Sequence, residues 1–371
     1  MVILIQFEKK PLLFQNPVKI ISSNTPDSLG ACFIQMEQAL KSGYYLAGFI
    51  SYEAGYSFEQ CLHDDRHYDF PLLHMGVYKQ PAVKLLQTRN SLPKGAISDI
   101  HLNITKERYF HNIAVIRDHI AKGDVYQITY CIKLLFDYCG DPCHLYSRLL
   151  KEQAVPYPAY IETDDYQILS LSPEKFLKKN AGSIISKPMK GTWPRAFPFA
   201  RDLIERLRFC RDKKNRAENV MIADLLRNDL GRIGRNVKAP KLFEVAGYKT
   251  LYQMTSTVTA EMDKDLELRR LLGALFPSGS VTGAPKIRAM EIIRSLELEE
   301  RRIYTGAIGY ITPRKDLFFN IPIRTLLLRN GRGEMGIGGG IVWDSTPEGE
   351  WAEGLLKASF VTDLFSARRL G

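Results

Sequence analysis

The lysine in the segment SKPMKGTWPR has the clearest capacity for covalent chemistry in this chain. Lys190 is followed by glycine and bracketed by Pro188 and Pro194, so we predict a stiff and irregular segment around it. A lysine that is held in place and partly removed from water has a lowered pKa, and its neutral amine is a nucleophile. The alternative is an ordinary loop lysine, because most lysines are exposed to solvent.

Carboxylates with helical spacing suggest a second kind of chemistry. In RAENVMIADLLRND, the residues Glu218, Ile222, Leu225 and Asp229 fall on one stripe of a predicted helix, which ends at Gly231. This pattern places a carboxylate beside core residues, where it is costly unless it is paired or bound to a cation. A salt bridge to an arginine and a bound metal ion are both compatible with the spacing.

The C-terminal helix is predicted to carry two more carboxylates. Thr346 is suited to cap this helix and Pro347 to begin it, so that Glu350 and Glu353 share one face. Together with Glu218 they would form an oxygen-rich site suited to magnesium, which binds a few carboxylates, water and substrate oxygens. The alternative is a solvated acidic face of a helix.

Two glycine-rich segments and one arginine are candidates for binding an anion. FPSGSVTGAPK precedes a predicted helix, and GIGGGIVWDS follows a predicted strand; glycines there permit close approach to backbone N–H groups. Neither segment matches a nucleotide-binding pattern, so a ligand that carries a carboxylate fits better. Arg324 alternates with Ile321 and Ile323, which predicts a strand and an inward two-pronged clamp for a carboxylate. An outward arginine on a sheet face is equally compatible with this pattern.

A fold rich in strands is predicted to position these residues. Residues 1–100 contain short strands and one helix, and GDVYQITYCIKLLFDY, YQILSLSPEKFL and GSIISKPMKG continue the strand pattern. Asn330-Gly331 is typical of a tight hairpin turn. Strands outnumber crossover helices, which favours an antiparallel α+β layered fold over a doubly wound parallel sheet. We expect one catalytic domain over residues 1–371, with a sheet-forming part (1–100) and a motif-bearing part (101–371).

Composition restricts the possible functions. The formal net charge is +10, but the basic residues are dispersed, so we do not expect nucleic-acid binding. No segment approaches the roughly 18 uncharged apolar residues of a membrane span, and the N-terminal residues lack the order of a signal peptide, which predicts a cytoplasmic protein. The six cysteines form no CxxC pair, and all seven histidines lie at or before His144. Chemistry in the C-terminal two-thirds must therefore use carboxylates, lysine and backbone groups.

Seven segments, taken in order, resemble the chorismate-utilising enzymes. They are SLSPEKFL, KPMKGTWPRA, RAENVMIADLLRNDLGRI, FPSGSVTGAPKIRAMEII, YTGAIGY, IPIRT and GIGGGIVWDSTPEGEWAE, within a resemblance that runs from about Tyr52 to Lys357. The family includes the anthranilate, aminodeoxychorismate, isochorismate and salicylate synthases. The resemblance implies chorismate as substrate and an α+β layered sandwich of two packed antiparallel β-sheets with flanking helices.

Two positions distinguish the activities within this family. The isochorismate and salicylate branch has a water-activating lysine where this chain has Gln127, and the anthranilate branch has alanine where this chain has Lys190. Lys190 resembles the aminodeoxychorismate branch, in which the lysine amine adds to the chorismate ring and expels the hydroxyl. Ammonia then displaces the lysine. The resemblance thus implies 4-amino-4-deoxychorismate as product, on the route to p-aminobenzoate and folate.

The resemblance also implies roles for single residues. Glu174 in SPEKF matches the general acid that protonates the departing hydroxyl. Gln253 in YQMTSTV stands where an active-site histidine is usual, and glutamine cannot shuttle a proton near neutral pH. Its presence fits an enzyme that stops at the amino ether. The other matches are the magnesium ligands Glu218 and Glu353, with Glu350 nearby. The substrate-binding candidates are Gln253, Thr282, Tyr304, Arg324, Gly338, Gly339 and Gly340.

Magnesium is the cofactor that the resemblance implies, and a glutamine amidotransferase subunit is the implied partner. No Cys-His-Glu glutaminase segment is visible in the chain, so we expect a separate protein to supply the ammonia. One alternative is the anthranilate synthase activity. Another, of a different class, is a non-catalytic subunit that binds chorismate or scaffolds a glutaminase. No match to the tryptophan-binding segment of the family is found, so the sequence does not support inhibition by tryptophan.

Overall fold

Two antiparallel β-sheets form the centre of the molecule. The computed structural model describes residues 1–84, 95–247 and 251–366. The first sheet contains β1 (Val2–Ile5), β2 (Leu12–Phe14), β6 (Ala96–Leu102), β7 (Gln127–Cys139), β8 (Tyr157–Glu162), β9 (Gln167–Ser172), β15 (Gly283–Ala284), β18 (Thr325–Arg329) and β19 (Arg332–Ile341). The second contains β3 (Lys19–Ser23), β4 (Tyr45–Ile50), β5 (Leu73–Tyr78), β10 (Lys175–Asn180), β11 (Ser183–Lys187), β12 (Met189–Pro194), β13 (Arg235–Gly247), β14 (Leu251–Glu261), β16 (Ala307–Ile311) and β17 (Leu317–Asn320).

The sheet order brings distant segments together. In the first sheet the order is β15-β7-β19-β18-β9-β8-β1-β2, with β6 also paired to β7. In the second it is β12-β14-β11-β10-β17-β16-β4-β5-β3, with β13 also paired to β14. The N-terminal strands are therefore divided between the sheets: β1 and β2 belong to the first sheet, and β3, β4 and β5 belong to the second.

Helices cover the outer faces of the sheets. They are α1 (Leu29–Lys41), α2 (Lys106–Ala121), α3 (Pro142–Glu152), α4 (Phe199–Arg211), α5 (Lys213–Gly231), α6 (Leu268–Leu275), α7 (Lys286–Leu296) and α8 (Pro347–Ser366). One apolar core joins the first sheet to α2, α3, α7 and α8, and another joins the second sheet to α1, α5 and α6. None of these described helices is long and apolar enough to cross a membrane.

The third core lies between the sheets. Ile3 and Ile161 from the first sheet pack with Phe49, Ile308 and Phe318 from the second, and all are buried. Full burial of each such side chain contributes roughly 1.5–3 kcal/mol to stability. The predicted α+β layered sandwich of two packed antiparallel sheets with flanking helices is therefore confirmed.

Local sequence signals explain where several elements begin and end. Asp212 caps α5 by accepting a hydrogen bond from the backbone of Asn215 at 2.8 Å, and Thr346 caps α8 through Gly349 at 3.2 Å. At the hairpin between β18 and β19, Asn330 and Gly331 both have positive φ angles, 52° and 75°, as the tight turn requires. The predicted cap of α8 and the predicted turn at Asn330-Gly331 are confirmed.

Two local predictions need correction. Arg324 does not lie on a strand: β18 begins one residue later, and Arg324 has a φ of 51°, which is incompatible with a strand. Lys190 lies on the short strand β12 rather than in an irregular segment, although the pairing with β14 shifts register between Met189 and Thr192. For Lys190 the difference arises because β12 pairs with β14, which is distant in sequence.

Candidate active site

Glu174 lies at the point where the chain passes from one sheet to the other. It follows β9 of the first sheet and precedes β10 of the second. Its backbone N–H donates to the Ser172 hydroxyl at 3.1 Å, and its carbonyl accepts from the N–H of Ile321 at 3.1 Å. These bonds hold the backbone on both sides of the residue, so the carboxyl group projects from a rigid position.

The Glu174 carboxyl group is buried, with 3% of the residue exposed. Burial raises its pKa to about 7, against the opposing effects of a hydrogen bond from Ser280 and the positive charge of Lys190. A carboxyl group with this pKa retains its proton over much of the neutral range. It is therefore suited to donate a proton to a leaving group.

Lys190 approaches the same region from β12 in the second sheet. Burial lowers the pKa of its amine, while the negative charges of Glu218 and Glu174 oppose that shift. The next residue, Gly191, has a φ of 89°, and a β-carbon there would lie 2.5 Å from Oδ1 of Asn215. Glycine is therefore needed beside the lysine for both its backbone angle and the lack of space.

The first sheet faces Lys190 with Gly340 on β19. A β-carbon at Gly340 would lie 3.0 Å from Nζ of Lys190 and 2.1 Å from Nε2 of Gln127. Gly340 pairs with Thr129 on the neighbouring strand β7. Lys190 therefore lies across the gap between the sheets from the Gln127 amide and from Gly338–Gly340, which we call the glycine run.

Several buried polar atoms beside this gap have no hydrogen-bond partner among the described residues. They are both amide atoms of Gln127, the Thr129 hydroxyl and Oε1 of Gln253. A buried polar atom without a partner costs about 1–3 kcal/mol, so native proteins rarely retain one. These atoms are suited to bind a polar ligand. The sequence indicates Gln127 and Gln253 because they stand where the family has a lysine and a histidine. No local pattern indicates Thr129.

Carboxylates from α8 face the glycine run from the other side. A β-carbon at Gly339 would lie 2.9 Å from Oε2 of Glu350 and 3.7 Å from Oε1 of Glu353. The Lys357 amine bridges this region, since it lies 2.7 Å from Oε1 of Glu353 and donates to the Gly338 carbonyl at 2.6 Å. The glycine run is thus close to a helix face of mixed charge.

The electrostatic environment of the carboxylates differs from one residue to the next. Burial raises the pKa of Glu218 and of Glu350, and the negative charge of Glu353 acts in the same direction. Burial also acts to raise the pKa of Glu353, but the Lys357 ammonium outweighs it and the pKa is lowered. Among the described residues, no three Asp, Glu, His or Cys side chains are placed to hold one metal ion together.

The substrate-loop candidates Thr282 and Tyr304 lie at the edge of the same gap. Thr282 is fully buried; its hydroxyl donates to the Ser278 carbonyl at 3.1 Å, and its own carbonyl accepts from Thr129 N–H at 2.6 Å. The Tyr304 ring packs on Gly336, where a β-carbon would lie 2.2 Å from the ring. Burial raises the pKa of Tyr304, so its hydroxyl stays a hydrogen-bond donor.

Arg301 was not singled out by sequence analysis, although the structure places it under these loops. Only 3% of Arg301 is exposed, and its guanidinium donates to the carbonyl of Val281 at 2.8 Å and of Thr129 at 2.6 Å. It also forms two hydrogen bonds with Glu297, at 2.6 and 2.8 Å. The segment RRIYTGAIGY has an arginine three residues before Tyr304, but this signal does not distinguish a buried arginine from an exposed one.

Arg324 lies immediately before β18 and close to the C-terminal end of α3. Its guanidinium is half-buried and donates to Oε1 of Gln153, just after the end of α3, at 3.0 Å. Its carbonyl accepts from the N–H of Leu171 on β9. Its role in binding a carboxylate stays a prediction.

Comparison with known proteins agrees with this geometry. The chorismate binding enzyme family model matches residues 6–363. Aminodeoxychorismate synthase component 1 of Escherichia coli is 38% identical over 258 residues, which cover 69% of this chain and 57% of that protein. The protein of the same name from Bacillus subtilis is 36% identical over 256 residues, covering 68% and 54%. The chain thus spans little more than half the length of these relatives.

Solved structures share the fold. Anthranilate synthase component I from Streptococcus pneumoniae has a TM-score of 0.82 at 24% identity, covering 97% of this chain and 92% of that one. The menaquinone-specific isochorismate synthase of Escherichia coli has a TM-score of 0.77 at 15% identity, covering 98% and 88%. These structures show the fold alone, whereas the family model matches almost the whole chain. The chain therefore belongs to the chorismate binding enzyme family.

Proposed function

We propose that this chain converts chorismate and ammonia to 4-amino-4-deoxychorismate, with Lys190 as covalent nucleophile and Glu174 as general acid. The observation that carries the proposal is the position of the Lys190 amine, which faces Gly340 across the gap between the sheets. Two relatives from different bacteria are named aminodeoxychorismate synthase component 1, which supports the same activity. The product leads to p-aminobenzoate and folate.

The two residues divide the chemistry between them. The neutral amine of Lys190 forms a carbon–nitrogen bond to the ring as the carbon–oxygen bond to the ring hydroxyl breaks. Glu174 gives its proton to the departing hydroxyl, which leaves as water. Ammonia then forms its own carbon–nitrogen bond while the bond to Lys190 breaks. Lys190 leaves as the neutral amine with which it began, and the one proton that the new ammonium group loses regenerates the acid form of Glu174.

The environment supports the required protonation states. Burial lowers the pKa of Lys190 and raises that of Glu174, so each shift favours the neutral form that the reaction needs. The amide of Gln127 and the hydroxyl of Thr129, which have no hydrogen-bond partner within the described part of the chain, can bind the polar ring substituents. The glycine run Gly338–Gly340, Thr282, Tyr304, Gln253 and Arg324 complete the proposed substrate site.

Magnesium belongs to the proposal as the cofactor. Glu350 and Glu353 each place a carboxylate oxygen within 4 Å of the position that a β-carbon at Gly339 would occupy. The charges of Lys190 and Glu353 both affect the pKa of Glu218, which therefore lies near them. This arrangement fits an ion bound by a few carboxylates, water and substrate rather than one enclosed by protein ligands. When bound, the ion would supply positive charge for the ring carboxylate.

The ammonia source is a further part of the proposal. The relatives carry the name component 1, which supports a partner component for this chain. We infer a separate glutamine amidotransferase subunit that releases ammonia from glutamine. Free ammonium salts should replace that subunit in the test tube, since ammonia itself is the reacting species.

Trapping the covalent intermediate tests this function. Purified protein given chorismate and magnesium without ammonia should gain mass, and peptide mapping should locate the adduct on Lys190. With ammonium added, mass spectrometry should identify 4-amino-4-deoxychorismate. Lys190→Ala should lose the adduct, while Lys187→Ala, which removes a partly exposed lysine paired with Glu244, should keep it.

Different outcomes would contradict different parts of the proposal. Anthranilate and pyruvate as products would assign the chain to the other aminating activity of the family. The absence of any product, with chorismate still bound, would favour a non-catalytic subunit. Amination by Lys190→Ala at the wild-type rate, without an adduct in the wild type, would show that ammonia attacks the ring directly.

A further inference from the structure

A buried serine touches the proposed general acid from the neighbouring loop. The Ser280 hydroxyl donates to Oε1 of Glu174 at 2.7 Å, and each residue is only 3% exposed. The same oxygen accepts a longer bond of 3.3 Å from the N–H of Met189, the residue before Lys190. Oε1 therefore accepts two hydrogen bonds, and none is recorded for Oε2 among the described residues.

We propose that Ser280 is the positioning residue of Glu174, holding Oε1 as a hydrogen-bond acceptor so that the acid proton resides on Oε2. An oxygen that already accepts two donated hydrogens is a poor place for a third. The protonated carboxyl group then has one defined orientation, with its acidic hydrogen on the oxygen that is free to meet the substrate. This inference rests on the proposed function insofar as Glu174 is the acid.

A second serine extends this hydrogen bond into a chain. The Ser278 hydroxyl lies 3.0 Å from that of Ser280, and it is equally buried. Since Ser280 has one hydroxyl hydrogen and Glu174 accepts it, Ser278 must be the donor to Ser280. The chain of donors therefore runs from Ser278 through Ser280 to the carboxyl group.

The loop that carries Ser280 is fixed by its packing. A β-carbon at Gly279 would lie 2.3 Å from Cδ2 of Leu225 on α5, so the loop is seated tightly against that helix. Thr282, a proposed substrate-binding residue, bonds back to the Ser278 carbonyl at 3.1 Å. The orientation of the acid is thus tied to the loop that binds the substrate.

The charged neighbours of Glu174 do not duplicate this role. The Lys190 ammonium, on β12, lowers the pKa of Glu174 through its charge, and Glu218 on α5 acts mainly on Lys190. The hydrogen bond from Ser280 also lowers the pKa, because it stabilises the carboxylate more than the neutral acid. Removing only the Ser280 hydroxyl should therefore raise the pKa of Glu174 and release its orientation.

Infrared difference spectroscopy tests the proposal without requiring turnover. Glu174 is identified by the carboxyl band that Glu174→Gln removes, and that band is titrated in wild type and in three variants. Ser280→Ala should move the titration to higher pH and the protonated carbonyl stretch to higher frequency, because Oε1 loses its donor. Ser280→Thr, which keeps a hydroxyl, should restore both features. Ser278→Ala is the matched control, and the carbonyl frequency should stay near the wild-type value.

Kinetics then separate positioning from simple support of the loop. With chorismate and ammonium, Ser280→Ala should lower kcat by about tenfold, the scale of one hydrogen bond to a charged group, while KM changes little. Ser280→Thr should recover most of kcat. An unchanged titration and carbonyl band in a folded Ser280→Ala protein would overturn the inference, as would a change in KM alone. If no variant or wild type turns over, the infrared result still decides the role of Ser280 while the proposed function fails.

Discussion

The amine of Lys190 and the backbone of Gly340 face each other so closely that a β-carbon at Gly340 would lie 3.0 Å from Nζ. The two residues come from different sheets and are 150 positions apart in the sequence. The same β-carbon would lie 2.1 Å from the Gln127 amide, which is buried and has no hydrogen-bond partner among the residues that the structure describes. Gly340 therefore keeps open the space where the nucleophile and a ligand would meet.

Replacing Gly340 with alanine should abolish most activity without unfolding the protein. The methyl group displaces the Gln127 amide and enters the space in front of Lys190, and such overpacking costs about 1–3 kcal/mol. We expect kcat/KM to fall at least about tenfold, measured with chorismate and ammonium. Gly231→Ala is the control, because a β-carbon there meets nothing within 4 Å. Wild-type kcat/KM in Gly340→Ala would show that the substrate lies elsewhere.

The pH dependence should change form when Lys190 is removed. In the wild type Lys190 and Glu174 interact, so the profile should be a bell with two macroscopic pKa values that belong to the pair. In Lys190→Ala the residual amination depends on protonated Glu174 alone and should fall as pH rises through its pKa. That pKa is about 7 in the wild type and should be higher in the variant, because the ammonium that lowered it is gone. Initial rates at constant free ammonia measure it; a rate that rises with pH in this variant would contradict the assignment of the acid.

Magnesium dependence should require Glu218 and Glu353. Glu218→Gln and Glu353→Gln keep the side-chain volume but remove a charge, so we expect both proteins to fold and neither to aminate chorismate. Magnesium with chorismate should raise the melting temperature of the wild type and have a smaller effect on the variants. Glu348→Gln, on the exposed surface of α8, serves as control. Full turnover in excess chelator would exclude a role for the ion.

Arg301 should support the substrate loops rather than the overall fold alone. Arg301→Met leaves the Glu297 carboxylate buried without its partner, and breaking such a pair costs about 3–5 kcal/mol. The double variant Arg301→Met with Glu297→Met removes both charges and should recover part of the stability. Its KM for chorismate should nevertheless stay raised, because the carbonyls of Val281 and Thr129 have lost their donor. A double variant with wild-type KM would limit Arg301 to stability.

Arg324 offers a test of the carboxylate site. Lysine cannot reproduce a planar two-pronged contact, so Arg324→Lys should weaken capture of chorismate by roughly 1.5–3 kcal/mol. The measurement is kcat/KM at low chorismate, with Gln153→Ala as a control that removes the hydrogen-bond partner of the guanidinium. An unchanged kcat/KM in Arg324→Lys would place the carboxylate elsewhere in the site.

The sequence alone determined the features that depend on neighbours within a few residues. The cap of α8, the turn at Asn330-Gly331 and the predominance of antiparallel strands follow from local chemistry. The ordered motifs also predicted the family and the candidates Lys190 and Glu174. These predictions need no knowledge of which strand lies beside which.

The tertiary structure decided everything that depends on pairing between distant segments. Arg324 has the alternating pattern of a strand, but β18 begins only at Thr325, and the Arg324 guanidinium donates to Gln153. The bond between Ser280 and Glu174 joins residues 106 positions apart, and no periodicity in either segment indicates it. Arg301 is also buried, and it donates to the carbonyls of Val281 and Thr129, which no local sequence pattern predicts. The physical reason is that local propensity acts through adjacent backbone groups, whereas the site forms where two separately built sheets pack together.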